Sequence, residues 1–241
     1  MTLDRKQARN HRDGPGPCQS IQHDSRTVES GALDFPGGTL VSTALPRIVL
    51  ASGSPHRRAL LERLRLPFGI ESPDVDETPQ PGETGTDLAA RLALAKARAV
   101  AARHPDEALL VIGSDQVAEL DATLFGKPGD RRTNIEQLRM SSGRSLDFHT
   151  GLALVDTATG VERIHVEPFR VRFRTLDDAL IEAYVDAEQP FDAAGGFHCE
   201  GLGIVLFEAL EGRDPNSLVG LPLIALVDAL AGFGVRLPVR D

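Results

Sequence analysis

The chain has 241 residues, with 26 Lys and Arg against 35 Asp and Glu for a formal net charge of −9, and it is 41% apolar and 25% charged. An acidic chain of this kind has no general attraction to nucleic acid or to an anionic membrane, so any phosphate ligand must be held by a local cluster of cations. The composition is that of a globular protein. Two cysteines, Cys18 and Cys199, build neither a disulfide framework nor a zinc cluster. No apolar run approaches the roughly 18 residues of a membrane span, and the first thirty residues lack the apolar core of a secretory signal. The expectation is a cytoplasmic protein.

Residues 1–45 are rich in Gly, Pro, Ser, Asp and Arg without a helical or strand period, and read as a disordered extension or a start-site artefact. A single domain is expected over 46–236. It opens with the short apolar run Arg47-Ile-Val-Leu-Ala-Ser52, a strand, which passes through Gly53 into a helix capped by Ser54 and started by Pro55. Residues 72–79 form a loop dense in acids. An Ala-rich helix follows over 86–104, with Leu88, Leu92, Ala95 and Ala99 on one face and Pro105 beyond its end. Residues 108–112 read as a buried strand ending at Gly113-Ser-Asp-Gln116. A hairpin is expected across Asp121-Ala122, a helix over 131–141, and two long strands over 146–155 and 163–173 joined at Thr159-Gly160. The spacing then predicts a helix over 176–188, a strand over 201–210 and a closing helix over 217–231. Alternating strands and helices interrupted by hairpins indicate an α/β fold with a mixed sheet.

Four places could carry chemistry. A helix N-terminus attracts anions, and two arginines there, Arg57 and Arg58, make sense if a phosphate chain lies between them and the loop; the alternative is a solvated surface pair. Lys96 falls on the apolar face of its helix, where it either snorkels or reaches into a site. Lys127, in the rigid turn Gly126-Lys-Pro128, points to solvent or to a ligand. Asp115 follows a buried strand, and ligands of open α/β sheets collect beyond strand ends; Asp74, Asp76 and Glu77 add oxygen donors for a hard cation. Together, Arg57, Arg58, Lys96 and Lys127 would bind a polyphosphate while Asp115 and Glu77 hold Mg²⁺ or steer water, the constellation of phosphoanhydride chemistry. His198 and Cys199 are adjacent, but neighbours on an extended segment face opposite ways, which argues against a Cys–His pair.

The blocks Leu50-Ala-Ser-Gly-Ser-Pro-His-Arg-Arg58, Val75-Asp-Glu-Thr78, Gly113-Ser-Asp-Gln116 and Gly126-Lys-Pro128 resemble the signature blocks of the Maf family of nucleoside triphosphate pyrophosphatases, over residues 47–231. The later blocks, Gly195-Gly-Phe-His-Cys-Glu-Gly-Leu-Gly203 and Glu211-Gly-Arg-Asp-Pro-Asn-Ser-Leu-Val-Gly-Leu-Pro222, are similar to its 7-methyl-GTP branch. The resemblance implies a Maf/ITPase-like α/β fold: an elongated mixed β-sheet flanked by helices, with an active-site cleft between two lobes. It implies hydrolysis of 7-methyl-GTP to the monophosphate and pyrophosphate with a divalent cation, Mg²⁺ or Mn²⁺, clearing modified nucleotides from the pool, with a link to cell-division arrest.

The resemblance also implies roles for individual residues. Asp115 would be the catalytic proton acceptor and, with Glu77, a metal ligand. Ser54, Arg57, Arg58, Lys96 and Lys127 would bind phosphates. His56, Gln116 and Glu200 would read the base, His56 standing where this branch usually has Trp. The expected partner is a small nucleotide, with neither nucleic acid nor membrane, and a homodimer is left open. Two alternatives differ in kind: the same chemistry on another non-canonical triphosphate, and a non-catalytic nucleotide-binding regulator of septum formation.

Overall fold

The structure is a computed structural model and describes residues 45–239. The extension expected over 1–45 lies, apart from Leu45, outside the described residues, as does Cys18.

Strand β1 (Arg47–Ala51) is apolar and buried beyond its first residue, as a strand covered on both faces must be. The chain turns at Gly53, where a Cβ would meet the Ser72 hydroxyl at 2.9 Å. It then enters α1 (Pro55–Glu62), whose cap is the Ser54 side chain, accepting from the Arg57 amide at 3.4 Å. A short strand missing from the sequence reading, β2 (Phe68–Glu71), pairs in parallel with β1. Only four residues long and exposed at Ile70, it has too little apolar pattern to stand out.

Helix α2 (Gly85–Ala101) forms as expected, but its buried face carries Ala93 and Ala97 rather than Ala95 and Ala99. Strand β3 (Leu109–Leu120), 12 residues long, does not stop at Gly113 but runs on through Ser114, Asp115 and Gln116. It turns across Asp121 and Ala122, both at positive φ as a tight hairpin requires, into β4 (Thr123–Phe125). Helix α3 (Arg131–Ser141), strands β5 (Ser145–Asp156) and β6 (Glu162–Phe173) and helix α4 (Asp178–Glu188) match the expected segments closely.

Two later expectations are corrected. The strand expected over 201–210 begins as a 3₁₀ turn at Leu202–Leu206, and only then becomes β7 (Phe207–Gly212). The closing helix is two helices, α5 (Pro215–Val219) and α6 (Leu223–Gly232). Gly220 at φ 118° takes the chain out of the first, and Pro222 caps the second.

The sheet order is β2-β1-β3-β5-β6-β7, with β4 also on β3. The first three strands are parallel and the rest antiparallel, so the expected mixed sheet is present. Its register makes the cleft. Along one edge of β3, β1 pairs only as far as Gly113 and β4 joins only from Ala118. Residues 114–117 therefore have no strand on that side, while β5 backs them continuously on the other. One lobe, around β1, packs α1 and α6 on one sheet face and α2 on the other. The second lobe packs α3 and α4 against the far halves of β3, β5 and β6. The bare stretch of β3 lies between them.

Two glycines set the depth of α2. A Cβ at Gly113 would lie 2.1 Å from the Ala93 carbonyl, and one at Gly151 would lie 2.1 Å from that of Ala89. Only bare backbone at both positions lets the helix lie directly on the sheet. Gly113→Ala should therefore push against helix backbone, which cannot yield as a side chain can. The expected cost is about 1–3 kcal/mol, a fall in Tm of roughly 2–12 °C in a thermal melt. Gly126→Ala, whose added methyl group meets nothing within 4 Å, should stay within about 0.5 kcal/mol of the parent.

Candidate functional site

A cavity of about 700 Å³ opens over the bare edge of β3. Its floor is Asp115, on the sheet face covered by α2 and only 7% exposed. Because Gly113 and Gly151 bring α2 down onto the sheet, Lys96 reaches Asp115 directly: its Nζ donates to Asp115 Oδ1 at 2.5 Å. The same ammonium lies 2.6 Å from Glu77 Oε1, which the acidic loop lowers over it from the opposite side. Lys96 does not snorkel to solvent; its side chain is 9% exposed.

Arg57 is drawn inward from the first turn of α1, its Nε donating to the Gly220 carbonyl at 2.8 Å. Burial pulls its guanidinium below the ordinary arginine value, while Asp115 and Glu77 pull the other way, and it remains a cation at physiological pH. Burial also opposes ionisation of Glu77. It is outweighed by the hydrogen bond and charge of Lys96, with Lys127 and Arg57, so Glu77 is held below the usual carboxylate range. Lys127 lines the cavity while remaining exposed to solvent. Three cations surround two carboxylates, an island with one positive charge in excess inside an acidic chain.

The structure brings Ser54, Arg57, Lys96, Lys127, Glu77 and Asp115 to one cavity. It does not bring Arg58. That side chain is more than half exposed, pairs with Glu62 one turn along α1 and does not line the cavity, because successive helical residues point about 100° apart. Of the loop's three acids only Glu77 lines the cavity; Asp76 instead accepts from the Thr78 amide at 2.9 Å.

Gln116 follows Asp115 on the strand and so turns to the other sheet face. Its amide nitrogen donates to the carbonyls of Ser217 and Leu218 at 2.7 and 3.0 Å, leaving its side-chain oxygen as the atom it can offer a ligand. His56 and Glu200, far apart in sequence, meet at the mouth, with His56 Nδ1 2.8 Å from Glu200 Oε1. The other Glu200 oxygen accepts from the Cys199 thiol at 3.2 Å. Burial and that carboxylate push the thiol up to about 12. It stays protonated at neutral pH, which agrees with the argument against a Cys–His pair.

The sequence reading missed what holds these groups. The Gly220 carbonyl accepts from both Arg57 and the buried Ser114 hydroxyl, the latter at 2.9 Å. The segment carrying Glu200 is anchored by Phe197, which packs edge-on against Phe148, Phe173 and Phe207 with ring centroids 4.8–5.7 Å apart. None of these contacts has a local sequence signal.

No group of three or more His, Cys, Asp and Glu side chains able to hold a metal occurs among the described residues. Asp115 and Glu77 nevertheless converge on one cation, Lys96, and each spends a single oxygen on it. One or two carboxylates beside phosphate-binding cations is the donor set that Mg²⁺ uses when the substrate supplies the remaining ligands, so these residues fit a divalent cation.

The Glu77 shift has a measurable consequence. A carboxylate whose folded pKa is depressed contributes stability that is complete above its unfolded value, about 4.3 for Glu, and that is lost as pH falls through the folded value. Glu77→Gln should therefore lower Tm by a constant amount from pH 8 to about pH 5, and the difference from the parent should close below about pH 4.

Among the described residues no helix is long and apolar enough to cross a membrane. Residues 47–233 match the Maf-like protein family model. A protein of Alcanivorax borkumensis named 7-methyl-GTP pyrophosphatase is 56% identical over 194 residues, covering 80% of this chain and 98% of the relative. One of the same name from Pseudomonas aeruginosa is 52% identical, covering 80% of this chain and 100% of its own length. Among solved structures, that of the Staphylococcus aureus Ham1 protein aligns with 78% of this chain and 100% of its own at a TM-score of 0.44 and 15% identity. With a family model matching most of its length and relatives more than half identical over 80% of it, the chain belongs to the Maf-like protein family.

Proposed function

We propose that this chain hydrolyses a nucleoside triphosphate between its α- and β-phosphates, releasing the nucleoside monophosphate and pyrophosphate, and that 7-methyl-GTP is the substrate. The observation that carries this reading is the island of Arg57, Lys96 and Lys127 around Asp115 and Glu77 on the bare edge of β3. Three cations suit a triphosphate, and two carboxylates beside them suit a water that must be oriented and deprotonated. The names of the relatives support the same reaction and base.

In this mechanism the triphosphate enters over Lys96 and competes with Glu77 for its ammonium. Arg57, fixed at one nitrogen by the Gly220 carbonyl, keeps its remaining guanidinium donors for phosphate oxygens. Asp115, held by Lys96 at 2.5 Å, uses its second oxygen to orient a water in line with the α-phosphorus and to accept its proton. The water oxygen bonds to that phosphorus as the bridging P–O bond breaks, and pyrophosphate leaves with the electron pair. A free aspartate is a feeble base at neutral pH; a divalent cation held by Asp115 and Glu77 supplies acidification of the water and neutralisation of phosphate charge. The base is read at the mouth by His56, Glu200 and the Gln116 oxygen. A small nucleotide in place of nucleic acid agrees with the net charge of −9, and a cytoplasmic setting belongs to the same reading.

Pyrophosphate release from 7-methyl-GTP, GTP, dTTP, UTP and ITP tests the proposal. Release is expected with Mg²⁺, preferentially from 7-methyl-GTP, and should disappear with a chelator. Asp115→Asn should lower kcat by about 10²- to 10⁴-fold with the fold retained. Arg58→Ala, on the exposed side of α1, should stay within about twofold of the parent. Near-normal turnover in Asp115→Asn would sink the role given to Asp115, and no release from any nucleotide would sink the reaction and favour a nucleotide-binding regulator.

A further inference from the structure

The mouth of the cavity holds an aromatic side chain to which the mechanism above gives no part. His198 lines the cavity beside His56; the two imidazoles lie 5.9 Å apart between centroids with planes 30° apart. A base slotted between two parallel rings needs about 7 Å, twice the ordinary stacking distance. The pair is closer than that, so no base fits between the two rings.

The ring nitrogens of His198 face carboxylates. Its Nδ1 lies 3.5 Å from Glu188 Oε1 and its Nε2 3.6 Å from Asp192 Oδ1, both within ion-pairing distance. His56 is held in the same manner, at Nδ1 by Glu200. With both nitrogens of His198 turned to carboxylates, what it can present to a ligand is its ring face. The backbone of residue 198 is fixed as well. The His198 amide donates to the hydroxyl of the buried Tyr184 at 3.1 Å, and its carbonyl accepts from Gly201 and Gly203 at 3.3 and 3.2 Å. A Cβ on Gly203 would sit 2.3 Å from that carbonyl, so the turn closes only around glycine. All of these anchors are backbone bonds of residue 198. The fold does not need an imidazole there.

Resting on the proposed reaction, we infer that His198 is a further specificity-determining residue. Its ring extends the His56 wall, and the nucleotide base stacks on the two together. Two of their carboxylate partners, Asp192 and Glu200, line this end of the cavity and bring negative charge to it. That charge favours a base that is cationic, or that turns N–H and amino donors outward, over one that turns carbonyl oxygens. The substrate class implied is a purine nucleotide carrying positive charge on the ring.

Two side-chain variants separate recognition from structure, because both keep the backbone bonds that hold the turn. For His198→Ala, KM for 7-methyl-GTP should rise about tenfold, the worth of one lost stacking contact, with kcat and Tm little changed and selectivity over GTP reduced. His198→Phe should recover most of the KM. Calorimetric binding of 7-methyl-GTP to the same variants should weaken in step and reads the wall independently of turnover. An unchanged KM and dissociation constant in His198→Ala, a loss in kcat instead of KM, or failure of Phe to restore binding would overturn the inference. If the parent binds 7-methyl-GTP but releases no pyrophosphate, the proposed reaction fails while the binding series still decides the role of His198.

Discussion

The site depends on one buried ammonium. Lys96 is held between a carboxylate fixed on the floor of a strand and another lowered from a loop, at 2.5 and 2.6 Å. Taking a lysine and an aspartate out of water together is costly unless the pair is close and well satisfied. Here the closeness comes from the backbone: Gly113 and Gly151 remove the side chains that would otherwise hold α2 away from the sheet. Deleting Lys96 would leave the Asp115 carboxylate buried without its ammonium, whereas losing Asp115 leaves Lys96 still paired with Glu77. The arrangement also suits chemistry, since a cation already shared between two acids can exchange one of them for a phosphate without becoming unpaired.

A second constraint ties the two ends of the cavity to one corner of the chain. Gly220 leaves α5 at φ 118°, a conformation that side chains rarely tolerate, and so aims its carbonyl at Arg57 and Ser114. The residues just before it offer their carbonyls to Gln116. The break between α5 and α6 therefore positions both a phosphate-binding cation and a base-reading amide. A single continuous helix over this segment would have consumed those carbonyls in its own hydrogen bonds.

Much of this was legible in the sequence. The strand–loop–helix at 47–62, the hairpin at Asp121-Ala122 and the long strands joined near Gly160 follow from local patterns of apolar period, caps and turn residues. The chemistry-bearing residues were legible too: an acid after a buried strand, a lysine on an apolar helical face and a cation beside a helix start. The errors fall where a local signal was ambiguous. Gly113 reads as a strand end but serves helix contact in mid-strand, and Gly220-Leu-Pro222 is concealed inside an apolar run. Arg58 looked equivalent to Arg57 because sequence adjacency conceals the 100° turn between them.

The sequence by itself determined which elements form and which residue types are available to bind phosphate and activate water, because propensity, capping and hydrophobic period act over a few residues. The tertiary structure alone decided which of them share a cavity. Lys96 meets Asp115 through helix-on-sheet packing, and His56 meets Glu200 across most of the chain. The cleft itself exists because β1 stops at Gly113 and β4 starts at Ala118 on the same edge of β3. Strand register is a property of paired backbones, and no single stretch of sequence carries it.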